Sequence, residues 1–160
     1  MLMRMVRANI RLATAADAAV IASFNAAMAR ETEHLELEPD RLRQGVEAVL
    51  SDPAKGFYLV AEEGDARVTG QLMITYEWSD WRNGVFWWIQ SVYVAPEARG
   101  RGIYRQLFAR VREEAAAKGN VCGLRLYVER DNRRAQAVYV KQGMRATAYD
   151  MYEVDFVIGR

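Results

Sequence analysis

The sequence predicts an α/β fold layered around a single mixed, mostly antiparallel sheet with helices on both faces. Three observations carry this. Stretches whose apolar residues recur every three or four positions alternate with stretches of period two. One strand-like run, residues 85–94, is apolar on both of its faces and so belongs at the centre of a covered sheet. The order of elements is strand, two helices, three strands, helix, strand, helix, strand, which is the pattern of layered α/β folds.

The elements follow in order. Residues 9–13 alternate polar and apolar and form the first strand. Thr14 caps a helix whose stripe is Val20, Ile21, Phe24 and Met28. Pro39, a favoured first-turn residue, opens a second helix that runs to about Leu50 with Leu42, Val46, Val49 and Leu50 inward. Pro53 closes it by disfavouring a helical Asp52. Residues 57–62 and 68–78 are strands joined by Glu63-Gly64-Asp65. Asn83-Gly84 is a hairpin signal leading into residues 85–94. The next helix starts near Gly102, carries Ile103, Leu107, Phe108 and Val111, and ends at Lys118-Gly119. Leu124, Leu126 and Val128 alternate as a strand. Asn132 caps a short helix with Ala135, Val138 and Tyr139 inward, Gly143 ends it, and residues 144–157 supply a further strand.

The chain has 160 residues, room for one domain with a sizeable core. Residues 8–160 read as that domain and residues 1–7 as a short extension. A formal net charge of +1 argues against a dedicated nucleic-acid binder. The longest uncharged run, residues 83–96, is too short to span a membrane, and the N-terminus lacks a signal-peptide core. One cysteine, Cys122, allows no internal disulfide, and with the single histidine, His34, it offers no partners for a structural zinc site. Cys122 reads as a small buried apolar residue at a strand start. A cytoplasmic protein is expected.

The stretch "SVYVAPEARGRGIYRQLFARV" carries the chemistry. A helix start presents unpaired N–H groups and the positive end of the helix dipole, and so forms an anion site. Gly100 and Gly102 keep side-chain bulk away from that backbone. Residues 98–112 hold five arginines and no acid, which predicts a strongly positive field and a phosphorylated guest. A dinucleotide fingerprint would need Gly or Ala where Arg105 stands. The Gly-Lys-Ser/Thr of a P-loop is absent.

With Val92-Tyr93-Val94 ahead of Arg99-Gly100-Arg101-Gly102-Ile103, and Asn132, Tyr139 and Gly143 in "VERDNRRAQAVYVKQGM", the chain resembles the GNAT superfamily of acyl-CoA-dependent N-acetyltransferases. Both signatures occur in the family's order, and the order of elements agrees. One position departs: Tyr104 stands where the family's loop ends in Gly or Ala. Its ring either points into the core or reshapes the pantetheine channel.

The resemblance implies acetyl-CoA as cosubstrate, no metal, and central strands that splay at their ends. It implies that Val92, Tyr93 and Val94 pair with the pantetheine arm, and that the N–H groups from Arg99 through Arg105, including Tyr104, hold the pyrophosphate. Asn132 would hold the pantetheine arm or simply cap its helix. Tyr139 would protonate the leaving thiolate, since a thiol has a pKa of about 8.5 and a phenol about 10; its other reading is packing. A backbone N–H near Val92 is a candidate oxyanion donor. Gln90, at the inward position where some members carry a glutamate, takes no proton. The acidic run "ETEHLELEPD" therefore becomes the source of a carboxylate, with Glu31 and Glu33 placed to hold an ammonium group or strip its proton, or else merely solvated. His34 is a relay or a solvated loop residue. Of the aromatic group Trp78, Trp81, Phe86, Trp87 and Trp88, most is expected in the core, and the excess lines an acceptor pocket or a homodimer contact. The implied activity is acetyl transfer to a primary amine of a small molecule or peptide. Acetylation of a protein N-terminus or lysine, and non-catalytic acyl-CoA sensing on the same fold, are the alternatives.

Overall fold

The computed structural model describes residues 7–158. The extension expected over residues 1–7 lies outside the described residues except for Arg7, which is exposed and in no helix or strand. The chain forms two compact units that divide after Leu126.

The first unit is built on a five-stranded sheet: β1 (Asn9–Leu12), β2 (Phe57–Glu63), β3 (Arg67–Ser79), β4 (Gly84–Val94) and β5 (Val121–Arg125), in that spatial order. The first four strands pair antiparallel and β5 joins β4 in parallel. A parallel neighbour needs a crossover, and helix α3 (Ile103–Lys118) supplies it. The mixed, mostly antiparallel sheet read from the sequence is therefore observed.

Helices cover both faces because side chains alternate across a strand. Tyr58 and Val60 point to α1 (Ala18–Met28) and α2 (Pro39–Ser51), where they meet Ile21 and Val46 with Leu42, Val49 and Met73 around them. Ala61, one residue out of step, faces α3, whose Ile103, Leu107, Phe108 and Val111 are all buried. Each such side chain contributes about 1.5–3 kcal/mol by leaving water. On α1 the fully covered spacing is Ile21, Asn25 and Ala29, so a polar residue occupies the middle of the inward stripe.

Local chemistry sets the element ends. Glu38 caps α2 by accepting from the N–H groups of Asp40 and Arg41 at 2.9 and 2.7 Å. Asp52 is extended ahead of Pro53, as the sequence requires. Arg11 reaches Asp17 through two N–H donors at 2.8 and 3.0 Å and Glu62 at 2.7 Å, tying β1 to the turn before α1 and to β2. The connection at Asn83-Gly84 is longer than a two-residue hairpin. β3 ends at Ser79, the chain turns twice through residues 80–83, and Asn83 takes the left-handed conformation. No described helix is long and apolar enough to cross a membrane.

In the second unit, α4 (Arg133–Lys141) is capped by Asn132, whose Oδ1 accepts from the Ala135 N–H at 3.1 Å. Two expectations are corrected. The strand expected through Val128 is β5, and its ladder stops at Arg125 opposite Trp88. The strand expected over residues 144–157 does not form among the described residues. Its alternation is right, yet Tyr152, Val154 and Phe156 are all exposed and no strand pairs with it. Side chains take over its backbone instead: Asp155 Oδ1 accepts from the N–H groups of Val157 and Ile158 at 2.7 and 2.9 Å, a local turn that competes with a ladder.

Candidate active site

β4 is paired with β3 along its length but with β5 only from Val85 to Trp88. From Ile89 to Val94 its other edge carries no strand among the described residues, because β5 ends at Arg125 opposite Trp88. An edge of this kind offers unpaired backbone groups to an extended ligand.

Within that open stretch the strand is bulged. Gln71 of β3 lies opposite Tyr93 while Met73 lies opposite Gln90, so Ser91 and Val92 together face Leu72. Ser91 has φ +50°, the left-handed conformation usually taken by glycine at such a bulge. Beneath it lies a buried polar network. Gln71 Nε2 donates to Asn25 Oδ1 at 2.7 Å and to the Ser91 carbonyl at 3.2 Å, and Asn25 Nδ2 donates to the Tyr58 hydroxyl at 3.2 Å. Burial pushes the Tyr58 pKa upward. The sequence reading missed all four residues. The available signals were Asn25 at the i+4 position from Ile21, and Gln71 as the polar residue inside an apolar strand.

The open edge runs into the loop that starts α3. Ala98 is fully buried and its N–H reaches the Ala95 carbonyl at 2.8 Å, which anchors the turn. Gly100 and Gly102 follow at φ +76° and +82°, where a Cβ would strain the backbone. Ile103, 1 % exposed, then pins the first turn of the 16-residue helix against β3. That approach requires Gly70, because an added Cβ there would lie 2.7 Å from Ile103 Cγ2. Two left-handed glycines at the mouth of a long helix are a backbone arrangement that can bind an anion. Tyr104 lies one residue into the helix with its ring 6.1 Å from that of Phe108.

The arginines of this region are less free than their number suggests. Arg99 donates to Glu31 at 2.7 Å and to the Val94 carbonyl at 2.9 Å, and its guanidinium lies over the Tyr93 ring at 5.3 Å. Arg101 donates to Glu63 at 2.7 Å, and Arg110 is paired with Glu114. The strong positive field expected over residues 98–112 is therefore partly neutralised by acids that the chain brings in from elsewhere.

Glu31 sits in a π-helical turn (Ala29–Glu33) that ends at His34, itself left-handed at φ +53°. Its carboxylate bridges Arg99 and the Tyr93 hydroxyl, the latter donating at 2.8 Å. Arg99 first, then Tyr93, hold its pKa below the usual glutamate value, which makes it a poor proton acceptor. Tyr93 is shifted the opposite way, by burial and then by Glu31. Glu33 and His34 are exposed on the same turn. Gln90 donates to Thr75 Oγ1 at 2.7 Å. Of the remaining expected residues, Val92 and Val94 are half-buried on the bulged edge of β4.

The aromatic group divides. Phe86 and Trp87 are buried, Phe86 against the Arg125 guanidinium at 3.6 Å and Trp87 edge-on to Phe57. Trp88 is half-buried and donates to Glu77 at 2.6 Å, while Arg125 donates to both oxygens of the same carboxylate. Trp78 and Trp81 are exposed and form the excess outside the core: both stand at the turn end of the β3–β4 hairpin. Cys122, expected buried, is half-exposed in β5. In the second unit Tyr139 is half-buried, and desolvation raises its phenol pKa.

The sequence matches the family model for the acetyltransferase (GNAT) family over residues 20–144. A possible acetyltransferase of Clostridium difficile 630 is 45 % identical, with a TM-score of 0.86 over 94 % of this chain and 98 % of that one. Two more distant structures share the fold. A predicted acetyltransferase of Clostridium acetobutylicum, solved with acetyl-CoA, has 21 % identity and a TM-score of 0.76 over 94 % and 97 % of the two chains. A ribosomal-protein-alanine N-acetyltransferase of Brucella melitensis biovar Abortus 2308 has 21 % identity and a TM-score of 0.74 over 94 % and 99 %. No curated protein matches the chain. With its family match spanning most of the sequence and its open β4 edge leading to a glycine-lined helix start, the chain belongs to the GNAT family of acetyltransferases.

Proposed function

We propose that the protein transfers an acetyl group from acetyl-CoA to a primary amine of a small molecule or peptide, by direct attack of the amine on the thioester. The observation that carries the reading is the unpaired β4 edge from Ile89 to Val94, which continues into the left-handed Gly100–Gly102 loop and the start of α3. Acetyl-CoA supplies the activated acyl group. Val92, Tyr93 and Val94 receive its pantetheine arm along their backbone, and the N–H groups from Arg99 to Arg105, with Gly100, Arg101, Gly102, Ile103 and Tyr104 between, receive its pyrophosphate.

Direct transfer needs a neutral amine, a polarised carbonyl and a protonated leaving thiol. The Val92 amide polarises the carbonyl, and Tyr139 protonates the thiolate. Its phenol is protonated at neutral pH, with desolvation raising its pKa further. Asn132 steadies the pantetheine arm and caps α4. The paired state of Glu31 favours attraction of an ammonium group over removal of its proton, and Glu33 extends the same acidic wall. The single cysteine fits a cytoplasmic setting.

Two measurements test this. Coenzyme A should raise the melting temperature, since any ligand selective for the native state does so. A panel of amines should then release free thiol from acetyl-CoA. Stabilisation by coenzyme A with no thiol release from any amine would favour a binding module over an enzyme.

A further inference from the structure

Three polar side chains from three elements converge on one strained residue of a fourth. Asn25 of α1 is 6 % exposed, Tyr58 of β2 is 3 % and Gln71 of β3 is 0 %. All three are linked to Ser91 of β4, directly or through one another. Burying such groups costs stability unless each is bonded, and apolar residues would pack the same space without that cost. Gln71 even leaves its Oε1 buried without a partner. Packing therefore does not account for the choice of residues.

The point of convergence does. Ser91 is the single non-glycine residue of β4 with a positive φ, a conformation that persists only when its surroundings hold it. The network holds it at its carbonyl through Gln71, which bonds Asn25, and Asn25 in turn bonds Tyr58. The next residue is Val92, on the edge of β4 that β5 leaves open.

We propose that Gln71 is a positioning residue for the acetyl-transfer reaction: with Asn25 and Tyr58 it latches Ser91 in the left-handed conformation, and the latched bulge fixes the Val92 amide that polarises the thioester carbonyl. The inference rests on the proposed function for the placement of the thioester. The latch itself touches neither substrate nor cofactor.

The test uses the full chain and acetyl-CoA isotope-labelled at the thioester carbonyl, with the carbonyl stretch read by infrared difference spectroscopy. In the wild-type protein the bound carbonyl band shifts below that of free acetyl-CoA. In Gln71→Met the shift is lost, while affinity for coenzyme A itself, set by the pyrophosphate loop, stays within about twofold. Adding Ser91→Gly to Gln71→Met restores the shift, because glycine takes a positive φ without a latch. If Gln71→Met does not fold, Tyr58→Phe removes the hydroxyl that accepts from Asn25, loosens the network behind Gln71 by one atom, and gives the same readout. A shift that survives both Gln71→Met and Tyr58→Phe overturns the latch, as does a loss that Ser91→Gly fails to repair. An unshifted carbonyl in the wild-type protein removes the donor and the latch together while coenzyme A still binds. Failure of coenzyme A to bind at all defeats the proposed function itself.

Discussion

Gly70→Ala is the substitution whose effect follows most directly from the packing. The new methyl carbon would lie 2.7 Å from Ile103 Cγ2, 3.4 Å from the Tyr93 carbonyl oxygen and 3.6 Å from Ala61 Cβ. Two carbons sit comfortably at about 3.5–4.0 Å, so Ile103 must yield by roughly 1 Å. Ile103 is buried and is the first residue of α3, directly after Gly102, so the helix start moves with it. Overpacking of this kind costs about 1–3 kcal/mol, and replacing a strand glycine returns about 0.5–1 kcal/mol. A net loss of about 1–2 kcal/mol lowers the melting temperature of a chain this size by about 2–8 °C. The ligand should suffer more than the fold. Displacing the cradle by that distance forfeits at least one charge-assisted bond to the pyrophosphate, about 1.5–3 kcal/mol, or about tenfold to a hundredfold in affinity for coenzyme A. Calorimetric titration with coenzyme A and thermal melts of the free protein measure the two quantities separately. Ile103→Leu, which lacks Cγ2, should recover both when combined with Gly70→Ala. If the melting temperature falls as calculated and coenzyme A binds as tightly as to the wild type, the start of α3 is not the pyrophosphate site.

Three further outcomes are expected. Tyr139→Phe should lower the acetyl-transfer rate about a hundredfold with coenzyme A affinity retained, and the wild-type rate should show no phenol titration below about pH 10, because burial raises that pKa; steady-state kinetics across pH check both. The Asp17 side chain is only 8 % exposed, and Arg11 holds its pKa below the ordinary aspartate value of 3.8; the pair's stabilisation is complete above that value and is lost as pH falls through the lower folded pKa. Asp17→Asn should therefore cost about 1.5–3 kcal/mol at pH 7 in denaturant unfolding, and the gap to wild type should close in strong acid. Glu31→Gln removes an exposed ion pair and should change stability by less than about 1 kcal/mol, while freeing Arg99 so that coenzyme A binds more tightly and more salt-dependently in titrations at two ionic strengths.

What was legible in the sequence was what local chemistry dictates. Gly100 and Gly102 announce a left-handed turn wherever they fall, and Ile103, Leu107 and Val111 announce the buried face of α3 at helical spacing. The central place of β4 could be read because Phe86 and Trp88 lie on one of its faces and Trp87 and Ile89 on the other. What escaped was set by partners far along the chain. Arg99 meets Glu31 and Arg101 meets Glu63, so a count of arginines within one segment overstated the field. Asn25, Tyr58, Gln71 and Ser91 are each ordinary in their own segment and become a network only when α1 is laid across β2, β3 and β4. Residues 144–157 failed in the other direction: the alternation was there, but a strand exists only with a partner to complete its ladder.

The pairing of those arginines bears on how the cofactor is held. A helix start ringed by unpaired guanidinium groups would attract any polyanion, and a small domain would bear the mutual repulsion whenever the site was empty. Here Glu31 and Glu63 absorb two of the charges nearest the glycines, and the Arg99 side chain also donates to the Val94 carbonyl at the end of the open edge. The two arginines then act as struts, fixing the loop to the turn after α1 and to the end of β2. On the proposed reading, recognition passes to the backbone amides between them, which read the shape and spacing of a diphosphate where free guanidinium groups would read only its charge. A loop strutted in this way has its donors set before the ligand arrives, so less of the binding energy goes into ordering it. The same logic joins the two ends of this stretch: ion pairs hold the glycine loop after β4, the proposed diphosphate site, and the buried polar groups around Gln71 hold the bulge at Ser91.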